Sequence, residues 1–385
     1  MDLFDVYPLY PIEPVRGEGA YVYDAEGQAY LDFYGGHAVI SIGHSHPEYV
    51  RRIQEQVARL GFYSNSVQNS LQHELASKLG ALSGLDDYRL FLCNSGAEAN
   101  ENALKIASFH NGRRKVIAFE RAFHGRTSAA VMATDKESVK APLNRGYPVE
   151  FHAWNQLDTV LASLAQGDVC AVIIEGIQGI GGIYQPDGDV LLAIQAACRQ
   201  NGTLLILDEI QSGYGRSGQF FAFQHIEGLE PDIVSMAKGM GNGFPIGGIL
   251  LHPRFKAKHG LLGTTFGGNH LACAAGCAVL DVLQRENALA NATRLGELLK
   301  RELAHLPGLV ELRGQGLMIG LEMNRPVADL RRRLLLEQHV FTGSSSDPNT
   351  IRLLPALTIT EAEVRRFIRT FSQFVQNNQP ETQPA

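Results

Sequence analysis

From about residue 45 onward the chain alternates short runs rich in Val, Ile and Leu with segments of helical periodicity. The runs "YRLFLCNSG", "KVIAFE", "VCAVIIEG", "TLLILDE" and "DIVSMAK" read as strands. Stretches at 47–60, 70–83, from about 97 and near 189–201 read as helices. This order predicts parallel strands joined by helical crossovers in one large α/β unit. Ahead of it, "GAYVYDAEGQAYLDF" holds two alternating runs around Asp24, Ala25, Glu26 and Gly27, which predicts a hairpin within a short N-terminal meander. After residue 270 the pattern becomes a long Ala/Leu-rich helix, two strand candidates, "LVELRGQG" and "LMIGLEM", and a terminal helix from Thr360. The expected division is an N-terminal segment 1–44 belonging to a smaller unit, a large unit 45–272, the rest of the smaller unit at 273–373, and a polar, Pro-containing tail at 374–385.

Composition narrows the function classes. With 385 residues, 45% hydrophobic and 19% charged, the chain can bury a large core. Its formal charge of -6 argues against a nucleic-acid or membrane surface. The run Arg331, Arg332, Arg333 reads as a solvated helix face. No basic segment followed by an apolar one opens the chain and no 18 apolar residues run uninterrupted, so a cytoplasmic location is expected. Five cysteines without a CxxC pair read as small buried residues, and no metal site is expected.

In an open parallel sheet, ligands bind beyond the carboxyl ends of the strands. Four such ends carry chemistry. At "YRLFLCNSGAEANENALK" a strand stops at Asn94, Ser95 and Gly96 and a helix begins, which suits either a phosphate or a plain helix cap. In "TLLILDEIQSG" the carboxylates of Asp208 and Glu209 follow a buried run and call for a cationic partner or an ion pair. Lys238 ends "DIVSMAK" beside a Gly-rich turn, where desolvation would favour an uncharged nucleophilic amine; a surface lysine at a loop mouth is the other reading. Phe123, His124 and Arg126 in "AFERAFHGRTSAA" offer an aromatic face, an imidazole and a guanidinium fork, or structural contacts. Together these are the parts needed to bind and use pyridoxal phosphate.

The ordered segments "RGEGAYVYDAEGQAYLDFYGG", "GHSHPE", "CNSGAEANENALKIA", "FHGRT", "LILDEIQSGYGRSG", "AKGMGNGFPIGG", "GTTFGGNHLACAAG" and "IRLLPAL" resemble class III aminotransferases of the ornithine/acetylornithine type, from about Val15 to Phe371. The resemblance implies the pyridoxal-phosphate transferase fold type I, with a mostly parallel seven-stranded sheet and a smaller α/β domain. It implies that Lys238 holds the cofactor and moves protons, Asp208 faces the pyridine nitrogen, Gly96 and Ala97 hold the phosphate beside Ser95, Phe123 stacks on the ring, and Gln211 approaches the phenolic oxygen. Thr265 from a second copy would complete the phosphate site, which implies a homodimer. Arg126, with Thr264 nearby, would grip the carboxylate of an acylated amino acid, and Arg352 that of 2-oxoglutarate or glutamate. The implied reaction moves the terminal amine of an acylated ornithine to 2-oxoglutarate, as in arginine biosynthesis.

"EGIQGIGG" departs from the family's usual stretch: Glu175 is kept, but Ile180 stands where relatives carry a glutamate that pairs with the arginine matching Arg352. Arg352 must then find another partner, stay open, or serve both substrates. His37 also replaces a common aliphatic residue. These changes suit a donor with an extra carboxylate, such as N2-succinylornithine, or neutral drift in an enzyme for acetylornithine. Other readings are an ornithine, 4-aminobutyrate or other ω-amine aminotransferase, or an aminomutase, racemase or decarboxylase of the same family. A dinucleotide binder is disfavoured, because no G-x-G-x-x-G opens a helix after the first strand of the α/β region. His44, His46, His124 and His270 are either cleft residues or hydrogen-bonded structural histidines.

Overall fold

The computed structural model describes residues 1–378. Strands β1 (Arg16–Glu18), β2 (Tyr21–Tyr23) and β3 (Ala29–Phe33) form an antiparallel meander, with Tyr23 opposite Ala29 across the expected hairpin. Strands β4 (Arg89–Cys93), β5 (Lys115–Phe119), β6 (Val149–His152), β7 (Val169–Glu175), β8 (Leu204–Asp208), β9 (Ile233–Met236) and β10 (Gly247–Leu251) build one seven-stranded sheet in the order β4-β10-β9-β8-β7-β5-β6. Strand β10 runs antiparallel to both neighbours and the remaining pairs are parallel. Strands β11 (Leu309–Gln315) and β12 (Met318–Met323) form a three-stranded sheet with β14 (Thr350–Leu353), while β13 (Val340–Thr342) pairs in parallel with β3.

Strands β5, β7, β8 and β9 are buried along their whole length, as uninterrupted apolar runs require when helices cover both faces. The helix Gly96–Asn111 lies close on this sheet because Ala99, Ala103 and Ala107 repeat every fourth residue on its buried side. Register then places the site. Glu175 pairs with Asp208 across β7 and β8, and Asp208 with Ser235 across β8 and β9, so three polar side chains end adjacent strands at one level.

The helices Pro47–Arg59, Ser70–Ser83 and Gly188–Asn201 fall where periodicity predicts them. Four corrections follow from packing. The single long helix expected after residue 270 is two, His270–Arg285 and Ala288–Leu303, broken where Asn287 adopts a left-handed φ of 51°. The boundary expected between 272 and 273 falls inside the first of these. Arg331 is half-buried and donates to the Thr342 carbonyl at 2.6 Å, so it leaves the solvated face expected of the Arg331–Arg333 run. The last helix, Glu361–Asn377, buries Phe374 and Val375, so residues 374–377 are helix rather than tail. Residues 379–385 of that expected tail lie outside the described residues. That helix is tied down by Phe367, stacked on Phe33 of β3 with ring centroids 3.9 Å apart.

All five cysteines are buried free thiols, as expected of small core residues. Among the described residues no helix is long and apolar enough to cross a membrane. Between β3 and the first long helix, Gly35, Gly36, His37 and Ala38 all take positive φ, making one left-handed turn. Left-handed geometry costs a non-glycine residue roughly 1–2 kcal/mol, so this turn is held from outside. The Asp32 carboxylate does so, accepting the N–H groups of Tyr34 and Gly35 at 2.9 and 2.8 Å.

Candidate active site

A cavity of about 380 Å³ opens at the carboxyl ends of the central strands. Its walls include Ser95, Gly96, Ala97, Phe123, His124, Arg126, Glu175, Ile180, Asp208, Gln211 and Lys238. Eleven of the fourteen residues singled out from the sequence thus meet in one place. Thr264 and Thr265 do not: the Thr264 hydroxyl accepts from Asn94 Nδ2 and the Gly267 N–H of its own chain, and Thr265 is exposed. Arg352 stands behind the wall, reaching it through Gln211. Of the four histidines that sequence left between cleft and scaffold, only His124 lines the cavity; His44 pairs with Asp32 and His46 with Glu286.

At the deep end Asp208 is 4% exposed. Its Oδ2 accepts from Asn100 Nδ2 at 2.7 Å and lies 2.7 Å from His124 Nδ1, while Oδ1 accepts the Ile210 N–H at 3.0 Å. An ionised carboxylate only accepts, so His124 donates from Nδ1, leaving the buried Nε2 without a partner among the described residues. Asn100 is completed by the Ser235 hydroxyl and the His124 carbonyl. Sequence reasoning missed Asn100 and Ser235. The available signal was an amide on the alanine face of a helix, which once buried must find partners.

Glu209, the next residue, follows different rules. Its carboxylate accepts the N–H groups of Ala222 and Phe223 and the Ser212 hydroxyl, with no cation partner among the described residues, and burial pushes its pKa up to about 7. Where a cationic partner was expected for this pair of carboxylates, the described residues supply only the His124 imidazole, beside Asp208. Glu175 is a third carboxylate, also raised by burial. It accepts the Phe123 N–H at 2.9 Å and the Gly179 N–H at 2.8 Å, and so fixes both the aromatic wall and the loop carrying Ile180.

Lys238 starts a short turn, Lys238–Met240, two residues beyond β9, with a positive φ of 44°. It is only partly exposed on the cavity wall, and desolvation lowers its pKa against the opposing pull of Asp208 and Glu175. At the other rim the helix Gly96–Asn111 begins, its Ser95 cap accepting the Glu98 N–H. The N–H groups of Gly96 and Ala97 belong to the first turn, which a helix leaves unpaired. A Cβ at position 96 would meet the Ile210 side chain at 2.8 Å, so glycine is what lets the helix begin this close to Ile210.

Beyond Gln211 the buried guanidinium of Arg352 meets only neutral acceptors among the described residues: Nε donates to the Ser344 carbonyl and Nη1 to Gln211 Oε1 at 3.0 Å. Burial lowers its pKa to about 10, leaving it charged at neutral pH. Of the alternatives raised by Ile180, Arg352 finds another partner, and that partner is neutral. Ile180 itself is anchored by its carbonyl, which accepts from Ser345 and Ser346. The His37 ring is exposed, yet partial desolvation and the cations Arg352, Lys238 and Arg126 lower its pKa to about 4, so it is uncharged at neutral pH.

An anion-binding helix terminus, an aromatic face, a buried carboxylate and a desolvated lysine around one cavity fit pyridoxal phosphate. The fold and this site define a pyridoxal-phosphate-dependent transaminase. The chain belongs to the aminotransferase class-III family, whose model matches residues 6–375. It is 40% identical to the acetylornithine aminotransferase of Bacillus subtilis (strain 168) over 381 residues, covering 97% of each chain. It is 41% identical to that of Archaeoglobus fulgidus over 356 residues, covering 92% of each. The solved ornithine aminotransferase from Toxoplasma gondii ME49 superimposes with a TM-score of 0.88 at 30% identity, over 96% of this chain and 91% of that one.

Proposed function

We propose that this enzyme moves the terminal amine of an N2-acylated ornithine to 2-oxoglutarate, in the direction of arginine biosynthesis. One observation carries the reading: two guanidinium groups flank the lysine cavity in unlike settings, Arg126 exposed at the mouth and Arg352 buried behind Gln211. A donor and an acceptor that each carry an α-carboxylate need such sites, and an Arg fork matches a carboxylate with two parallel hydrogen bonds. The names of the relatives in Bacillus subtilis and Archaeoglobus fulgidus support the acylated donor.

When bound, pyridoxal phosphate supplies a carbonyl that takes up amines and a ring that withdraws electrons. Lys238 would hold it covalently through Nζ and, once displaced by substrate, carry protons as acid and base; burial keeps more of its amine uncharged for both tasks. Asp208 would face the ring nitrogen, its carboxylate held in place by hydrogen bonds from Asn100 and His124. Gly96 and Ala97 would bind the phosphate through N–H groups, and Phe123 would cover one ring face. Thr265, exposed and outside the cavity of its own chain, would complete the phosphate site of a second copy, making the working enzyme a homodimer. Its expected setting is the cytoplasm.

Steady-state rates across N2-acetylornithine, N2-succinylornithine, ornithine and 4-aminobutyrate, with glutamate as the measured product, test the reading. An acylated ornithine is expected to show the highest kcat/KM. Preference for either unacylated amine overturns the substrate assignment. Because Arg352 faces no carboxylate partner among the described residues, the succinyl compound with its extra carboxylate is a specific second reading, and a clear preference for acetylornithine ends it.

A further inference from the structure

We propose that Ser345 and Ser346 are positioning residues for Arg352: by holding on to the Ile180 carbonyl they fix the adjoining Ser344, whose own carbonyl aims the guanidinium at the acceptor's α-carboxylate. The inference rests on the functional reading above and concerns only how the acceptor is held.

These residues lie between β13 and β14, and the short segment touches two walls of the site at once. The Ser344 carbonyl accepts from Arg352 Nε. The Ile180 carbonyl accepts from Ser345 Oγ at 3.0 Å, Ser346 Oγ at 3.1 Å and the Ser346 N–H at 2.9 Å. A carbonyl oxygen has two lone pairs, so three donors exceed what satisfying this group requires. The Ser345 hydroxyl accepts the Asp347 N–H at 3.0 Å, which leaves its hydrogen for Ile180. Glycine at position 182 permits the approach: its φ is 119°, and a Cβ there would meet Ser345 Oγ at 3.3 Å.

Each side of this contact is braced from behind. The Gly182 carbonyl accepts from Arg313 Nε at 3.2 Å and Nη2 at 3.1 Å, and Asp347 Oδ2 accepts from the Thr350 hydroxyl at 2.8 Å. Ser344 has no such brace: it is exposed, and backbone pairing of its segment with Arg352 stops at Gly343. The two hydroxyls that follow are what keep its carbonyl on Nε. Without them, the guanidinium would have to be ordered afresh each time a carboxylate binds, a cost that lowers affinity. The ties are neutral, so they orient Arg352 and leave its charge for the substrate.

The test uses the holoenzymes of wild type, Ser346→Ala, Ser346→Thr and the double variant Ser345→Ala/Ser346→Ala, with N2-acetylornithine as donor and 2-oxoglutarate as acceptor. Losing one neutral hydrogen bond predicts about a threefold rise in KM for 2-oxoglutarate in Ser346→Ala, and losing both about a tenfold rise in the double variant. Ser346→Thr, which keeps the hydroxyl on an exposed side chain, retains the wild-type value. The donor KM and kcat stay as in wild type throughout. An unchanged acceptor KM in both alanine variants overturns the proposal. So does a joint rise of donor and acceptor KM, or a rise in Ser346→Thr equal to that in Ser346→Ala, since either marks a general distortion of the loop. Because Ser346 is exposed, the single variant carries the test even where the double variant does not fold. Wild-type turnover of N2-acetylornithine with 2-oxoglutarate is measured first: its absence is a failure of the substrate assignment, whereas an acceptor KM indifferent to the hydroxyls is a failure of this tie.

Discussion

At the Asp208 end of the cavity an anion is met by Asn100 and His124 and sealed beneath the helix Gly96–Asn111; at the Arg352 end a cation is equally buried but meets only a carbonyl and an amide. The first end is fully engaged before substrate arrives and suits a permanent occupant such as the cofactor. The second retains an unspent charge, which suits carboxylates that come and go. Burying Arg352 without an anion is costly, and removing the cost by adding one would also remove the attraction. On the proposed roles, the difference teaches that the two ends would serve different residence times.

The largest expected effect breaks the engaged end. Lys238→Ala should lose covalently held cofactor and reduce turnover by on the order of 10²–10⁴-fold, the usual contribution of a positioned acid or base. Absorbance of the purified protein and glutamate formation check it. Normal turnover in this variant would refute the site.

Next comes Glu209, the carboxylate beside Asp208 that has no cation. Its folded pKa, about 7, lies above the ordinary carboxylate value, so its favourable contribution is full below about 4.5 and is lost as pH rises through 7. Glu209→Gln removes this titration. Relative to wild type, the variant should gain about 3 kcal/mol of stability between pH 4.5 and 7.5. Denaturant unfolding at both pH values measures the difference, and a constant offset contradicts it.

The smallest effect sharpens the Arg352 end. Ile180→Glu should place a carboxylate near the unspent guanidinium and raise KM for 2-oxoglutarate about fivefold, as expected of a partly exposed ion pair worth about 1 kcal/mol. An unaltered KM would mean that Ile180 does not face Arg352.

Much of the engaged end was legible in sequence, because strands such as "VCAVIIE" are apolar throughout and the residues that end them fall on one level once the strands are parallel. Lys238 and Asp208 announce themselves as polar groups where apolar runs stop. The other end was not legible in that way. Arg352 and Gln211 are 141 residues apart, and their contact depends on a left-handed turn and on space left by Gly179, neither of which has a periodic signature. Strand β10 begins with two glycines and reverses direction, so its hydrophobic pattern does not show that it separates β4 from β9. Asn287 hides within an Ala/Leu-rich stretch, and its left-handed φ breaks a helix that composition alone would continue.

Borohydride reduction of the holoenzyme followed by peptide mapping tests the central claim most directly. The account predicts a single cofactor adduct on the peptide carrying Lys238. An adduct on another residue, or none in a protein that still transaminates, would contradict it.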